Sequence, residues 1–65
     1  MNIEKLMRKY WLEIEPIVSE NGKTVNEWAI FSQKLGRCWG FGSTLEGAIK
    51  EWAKVNNVNI SKDIT

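Results

Sequence analysis

The chain contains no histidine and only one cysteine among its 65 residues. The missing histidines remove the commonest general base, the commonest metal ligand and the usual partner of a nucleophilic serine or cysteine. A single cysteine excludes an internal disulfide and a zinc site built from Cys and His within one chain. We therefore expect no catalytic residues, no metal site and no cofactor, and hence a protein that is not an enzyme. We expect Cys38 to be a buried structural residue, because no His can activate its thiol and the best local cations are only Arg37 and Lys34.

The chain also lacks an excess of either charge. Nine Lys and Arg residues oppose eight Asp and Glu residues, which gives a net charge of +1. Nucleic-acid-binding proteins usually carry a basic excess, because neutralising phosphates supplies much of their affinity. The sequence contains neither the apolar run of a signal peptide nor the roughly 20 apolar residues that a membrane span needs. We therefore expect a cytoplasmic protein that does not bind a membrane and for which nucleic acid is a disfavoured partner.

Apolar residues are plentiful, at 43% of the chain, and four of them are tryptophan. A chain of this length forms one domain with one small core, so we treat residues 1–65 as a single domain. Such a domain buries only about 60% of the surface that its unfolded chain exposes. Additional stability from an oligomer or a bound partner is therefore expected.

Hydrophobic periodicity predicts a short helix followed by three strands. Residues 2–9 repeat their apolar positions at helical spacing, with Asn2 as the N-cap. Residues 10–18 and 24–32 are predicted as strands that form a hairpin around Asn21-Gly22, since both turn residues tolerate a positive φ. Residues 37–42 are predicted as a third strand, in which two glycines indicate a bend or a close backbone approach.

A longer helix and a short strand are predicted after the third strand. Ser43 and Glu46 match the S-x-x-E capping box, and the residues that follow form an apolar stripe wide enough to cover a sheet. Val58 and Ile60 are predicted to lie in a short final strand, and residues 61–65 to form a polar tail. The fold class is thus α+β: a short N-terminal helix, a three-stranded antiparallel meander, one long helix packed on the sheet and a short final strand, with a β-β-β-α-β core.

The run from Tyr10 to Val55 resembles the HicB-like antitoxin domain. Its hairpin strand ends in Ala29-Ile30-Phe31 and is followed by Leu35-Gly36-Arg37-Cys38, where the family has Leu-Pro-Gly-Cys. The motif that opens the family's helix is similar to Gly42-Ser43-Thr44-Leu45-Glu46-Gly47-Ala48-Ile49. The resemblance implies a truncated ribonuclease H-like sheet in the order 3-2-1-4, with one helix across a face. A ribonuclease H site needs clustered carboxylates, and the candidates here are Glu13, Glu15, Glu27 and Asp63, which nothing in the sequence pairs.

The resemblance also implies a function. HicB-like antitoxins neutralise a small basic toxin ribonuclease by covering its active site, and they form homo-oligomers. The family's antitoxins continue into a DNA-binding domain that is absent from this sequence, so we do not expect the chain itself to bind an operator.

The tryptophans suggest where a partner binds. If the long helix covers the face that carries Leu12, Ile14, Ala29, Phe31 and Cys38, strand alternation places five large apolar residues on the opposite face. That candidate partner or subunit interface consists of Trp11, Trp28, Ile30, Trp39 and Phe41. So much aromatic surface is seldom left in water on a monomer. Alternatively, the N-terminal helix covers this face through Ile3, Leu6 and Met7, and the tryptophans belong to the core.

These observations favour a protein–protein binding module, either a HicB-like antitoxin or a phage-type small inhibitor of a host enzyme. The alternative from another class is a single-stranded nucleic-acid binder that stacks bases on the Trp-rich face. Its phosphate contacts would come from Lys5, Arg8, Lys9, Lys34 and Arg37.

Overall fold

The computed structural model describes residues 2–61, which form two helices and one antiparallel sheet. The elements are α1 (Ile3–Tyr10), β1 (Leu12–Val18), β2 (Val25–Ser32), β3 (Gly40–Gly42) and α2 (Leu45–Val55). The strands lie in the order β1-β2-β3, so β2 is central and β1 and β3 are edges. The predicted mixture of two helices with a three-stranded antiparallel meander is confirmed. Neither helix within residues 2–61 is long and apolar enough to cross a membrane.

The first helix and the hairpin form where the sequence predicts them. The Asn2 side chain caps α1 by accepting the Lys5 backbone N–H at 3.0 Å. In the hairpin turn the Asn21 side chain accepts the Lys23 N–H at 2.9 Å. Gly22 has a φ of +68°, a conformation that costs glycine little. Pro16 lies in β1, an edge strand, where its missing N–H is tolerated.

The cap of α2 lies one residue later than the capping box predicts. Thr44 is the N-cap: its side chain accepts the Gly47 N–H at 3.0 Å, and its carbonyl accepts the Ala48 N–H at 2.9 Å. The prediction that Ser43 and Glu46 form a capping box is therefore wrong. Thr44 has the extended backbone of an N-cap residue and offers the same kind of hydroxyl as Ser43, one position nearer to the helix.

The predicted final strand is not present in the described residues. The chain leaves α2 through a Schellman motif, in which Asn57 adopts a φ of +56° and donates its N–H to Lys54. The Val58 N–H then bonds the Ala53 carbonyl at 2.8 Å. This turn directs Ile60 into the core, where its exposure is 8%, instead of along a strand edge. Residues 62–65, most of the predicted polar tail, lie outside the described residues.

One core lies between the sheet and both helices. Leu6 of α1, Ile30 of β2 and Trp52 of α2 are completely buried in a single cluster. Tyr10 packs edge-on against Trp52, with ring centroids 5.3 Å apart. Both helices therefore cover the same face of the sheet.

The glycines of β3 allow the strand to lie directly against α2. A Cβ added to Gly40 would stand 2.3 Å from the Cα of Trp52, and one added to Gly42 would stand 2.6 Å from the backbone nitrogen of Ala48. Neither position leaves room for a side chain, which confirms the close backbone approach that the sequence predicts.

Gly40→Ala is expected to lower the free energy of unfolding by about 1–3 kcal/mol or more, because the new methyl group overlaps helix backbone that cannot rotate away. Chemical denaturation followed by circular dichroism measures the loss. Asn26→Ala, at an exposed position of β2, serves as the control. Equal midpoints for Gly40→Ala and the native chain would contradict the packing described.

A second prediction separates the two candidate caps. Thr44→Ala is expected to cost about 0.5–2 kcal/mol, because it leaves the Gly47 N–H without its acceptor. Ser43→Ala removes the neighbouring hydroxyl and is expected to leave the denaturation midpoint unchanged. The reverse order of the two midpoints would reinstate Ser43 as the cap.

Candidate interaction surface

The pairing of the strands decides which side chains share a face. Residues that pair directly across neighbouring strands project to the same side of a sheet. Ile14 pairs with Ile30, whereas Ala29 pairs with Glu15 on one side and with Phe41 on the other. Ile30 belongs to the core, so Glu15, Ala29 and Phe41 lie on the side away from the helices. We call this side the open face; it comprises Glu13, Glu15, Ile17, Glu27, Ala29, Phe31, Trp39 and Phe41.

The five residues predicted to form an interface do not share one surface. Trp39 and Phe41 lie on the open face, whereas Ile30 is 0% exposed in the core. Trp28 is half-buried and packs against the core. Trp11 is 61% exposed, but it caps the end of α1 with a φ of +52° and lies outside the sheet. The predicted common face is therefore wrong.

The structure corrects three further expectations. α1 does not cover the aromatic residues of the open face, because its Leu6 enters the core on the helix side. Phe31, predicted to lie under the long helix, is on the open face opposite Glu13. Cys38 is exposed and not buried.

Three aromatic rings form a continuous stack on the open face. Trp39 lies between the other two, with its ring centroid 4.9 Å from that of Phe31 and 6.4 Å from that of Phe41. Both pairs are stacked, at interplanar angles of 30° and 22°. Trp39 remains 37% exposed and Phe41 47% exposed. We call these three residues the aromatic stack.

The open face is acidic although the chain as a whole is not. Glu13, Glu15 and Glu27 are exposed there, and none of the residues that define the face is basic. Gln33 donates a hydrogen bond of 2.6 Å to the Glu13 carboxylate. Within residues 2–61, Glu15 and Glu27 form no ion pair and no side-chain hydrogen bond.

The basic residues lie elsewhere on the molecule. Lys5, Arg8 and Lys9 belong to α1, in the layer on the other side of the sheet, and Arg8 pairs with Glu4 at 2.8 Å. The guanidinium of Arg37 donates to the Asn56 carbonyl at 3.4 Å. The cations of α1 and the aromatic stack are thus on opposite sides of the sheet.

Asn56 fixes the segment that leads into Trp39. Its buried side chain accepts the Cys38 N–H at 3.1 Å and donates to the Cys38 carbonyl at 2.9 Å. It also donates to the Trp52 carbonyl at 2.8 Å, so one amide joins the end of α2 to the residue before Trp39. From the sequence, Asn56 signals only the end of a helix, and this second role is missed.

The carboxylates among residues 2–61 are not arranged as a metal centre. Within residues 2–61 no group of three or more Asp, Glu, Cys or His side chains is placed to hold a metal ion. Asp63, the fourth candidate from the sequence, lies outside the described residues.

No protein-family model matches this chain, and no curated protein or solved structure is significantly similar to it. The functional proposal therefore rests on the open face, without support from similar proteins.

Asn56→Ala is expected to destabilise the fold by roughly 1–3 kcal/mol, because it removes both hydrogen bonds to the part-buried backbone of Cys38 and one of the two that the Trp52 carbonyl accepts. The indole N–H resonance of Trp39 is expected to move as its segment is released. Asn26→Ala, at an exposed position of β2, is again the control. An unchanged midpoint together with an unchanged Trp39 resonance would contradict the positioning role of Asn56.

Proposed function

We propose that the chain is a protein-binding module, not an enzyme, and that it binds its partner through the open face. The aromatic stack is the observation that carries this proposal. Trp39 and Phe41 present partly exposed rings on a sheet face that no helix within residues 2–61 covers. Aromatic residues are enriched in protein interfaces, and they dominate binding energy when a partner excludes water from them.

The charge of the open face favours a partner with a basic surface. Glu13, Glu15 and Glu27 would be neutralised by Lys or Arg residues of such a partner, which also speeds association. A second copy of the chain seated face to face would instead bring two sets of carboxylates together. A homo-oligomer of this chain is therefore proposed to form through another surface and to leave the open face free.

The narrower proposal is a HicB-like antitoxin that acts in the cytoplasm and covers a small basic toxin ribonuclease. Two observations support it beyond the sequence motifs. The strand order β1-β2-β3 agrees with the 3-2-1 portion of the expected sheet. The acidic open face supplies the electrostatic complement that a basic toxin requires, although the net charge of the chain does not. A phage-type inhibitor of a host enzyme would use the same face on a different basic partner.

Single-stranded nucleic acid is a poorer occupant of the open face. Stacking of bases requires a basic groove beside the rings to hold the phosphates. Here carboxylates flank the aromatic stack, and the cations of α1 lie on the other side of the sheet.

Phe41→Ser is expected to weaken partner binding by tenfold or more, because it removes a central aromatic contact. Val55→Ser on α2 is a matched control, since Val55 is 42% exposed and Phe41 47%. Native chain and both variants capture proteins from the source cells in parallel. Each captured protein is then identified, purified and mixed with the chain for light scattering.

The expected result is a basic protein that forms a complex of defined mass with the native chain and with Val55→Ser, but not with Phe41→Ser. Circular dichroism establishes that Phe41→Ser is folded. The proposal fails if no captured protein forms a complex of defined mass, or if Phe41→Ser binds as tightly as Val55→Ser.

A further inference from the structure

The open face contains a depression of about 270 Å³ beside the aromatic stack, lined by Glu15, Ile17, Ala29, Trp39 and Phe41. Its floor follows from strand register. Ala29 on central β2 lies directly between Glu15 on β1 and Phe41 on β3. Its methyl group is too short to fill the row between two long neighbours, so the sheet is recessed there.

The walls of the depression differ in chemistry. On the β3 side are the rings of Trp39 and Phe41, inclined to each other by only 22°. On the β1 side is the Glu15 carboxylate, with Ile17 next to it on the same strand face. Aromatic faces attract cations through their electron-rich centres, and a carboxylate opposite adds direct charge attraction.

No side chain of residues 2–61 supplies that cation. Glu15 has no ion pair there, and Arg37 donates to the Asn56 carbonyl. The depression thus combines a carboxylate without a counter-charge and two aromatic rings that remain partly exposed.

We propose that this depression receives an arginine side chain of the basic partner, an inference that rests on the proposed protein-binding function. The guanidinium is flat, so it stacks on the more exposed ring, that of Phe41, while its edge donates two parallel hydrogen bonds to Glu15. Its aliphatic stem covers Ile17 and Ala29. A lysine offers a compact charge that cannot stack and bond a carboxylate in this bidentate way, so arginine is the preferred occupant.

The test uses the peptide acetyl-Gly-Arg-Gly-amide as the probe and nuclear magnetic resonance as the readout. Its counterpart with citrulline in place of arginine keeps the shape and loses the charge. The arginine peptide is expected to shift the Trp39 indole resonance, which is assigned by its loss in Trp39→Phe. Glu15→Gln is expected to weaken this binding by about twofold to fivefold, the effect of removing one ion pair at an exposed carboxylate. Glu51→Gln, at an exposed position of α2, is the matched control and is expected to leave peptide binding unchanged.

Three outcomes would overturn the arginine site. The Trp39 resonance could fail to move, the citrulline peptide could move it equally, or Glu51→Gln could weaken binding as much as Glu15→Gln. A shift produced by oligothymidylate but not by the arginine peptide would overturn it as well, and would assign the stack to nucleic acid.

The same variants separate this inference from the proposed function. If Phe41→Ser abolishes the complex with the purified partner while Glu15→Gln weakens neither that complex nor peptide binding, the open face is an interface without an arginine site. If the peptide binds as expected but Phe41→Ser leaves the partner complex intact, the arginine site stands and the proposed interface fails.

Discussion

The contact between the backbone of β3 and the backbone of α2 determines the rest of the structure. The two β3 positions that face the helix, 40 and 42, are both glycine, because any side chain there would overlap the helix backbone. Since side chains alternate along a strand, Phe41 between them must project to the opposite side. β3 therefore contributes bare backbone to the core and an aromatic ring to the open face. The packing that seals one side of the sheet is also what supplies apolar surface to the other.

Asn56 completes this arrangement at the other end of the helix. Its amide satisfies both backbone groups of Cys38 and one carbonyl of α2, so the approach to β3 is held by hydrogen bonds as well as by packing. Trp39 is thus held where it can stack between Phe31 and Phe41. A satisfied buried amide of this kind is rigid, because each lost bond leaves a polar group without water. The aromatic stack is consequently preorganised, which lowers the entropic cost of binding.

Sequence reasoning predicts the elements of this fold better than their assembly. Asn2, the Asn21-Gly22 turn and the apolar stripe of α2 are local signals, and local interactions produce them in the structure. The division of the sheet into two faces depends on register between strands, which alternation within one strand does not encode. The run from Trp28 to Phe31 is apolar on both faces, so it could not show which pair, Trp28 with Ile30 or Ala29 with Phe31, lies under the helices. Val58 and Ile60 show the same difficulty: two apolar residues two positions apart fit a strand and also fit an irregular segment that a helix cap has turned inward.

The acidic character of the candidate site could not be predicted from the overall charge of the sequence. A net charge of +1 describes the sum of the charges and not where they lie. Folding places five lysines and arginines on α1 and α2 and three in the loops that flank β2, and it leaves Glu13, Glu15 and Glu27 on the open face. A nearly neutral chain thereby presents a strongly acidic surface, and interactions at contact distance respond to that surface, since the charges on the far side are screened within about 10 Å at moderate salt. The proposal of a basic protein partner, in preference to nucleic acid or a face-to-face second copy, therefore rests on the local field and not on the overall charge balance.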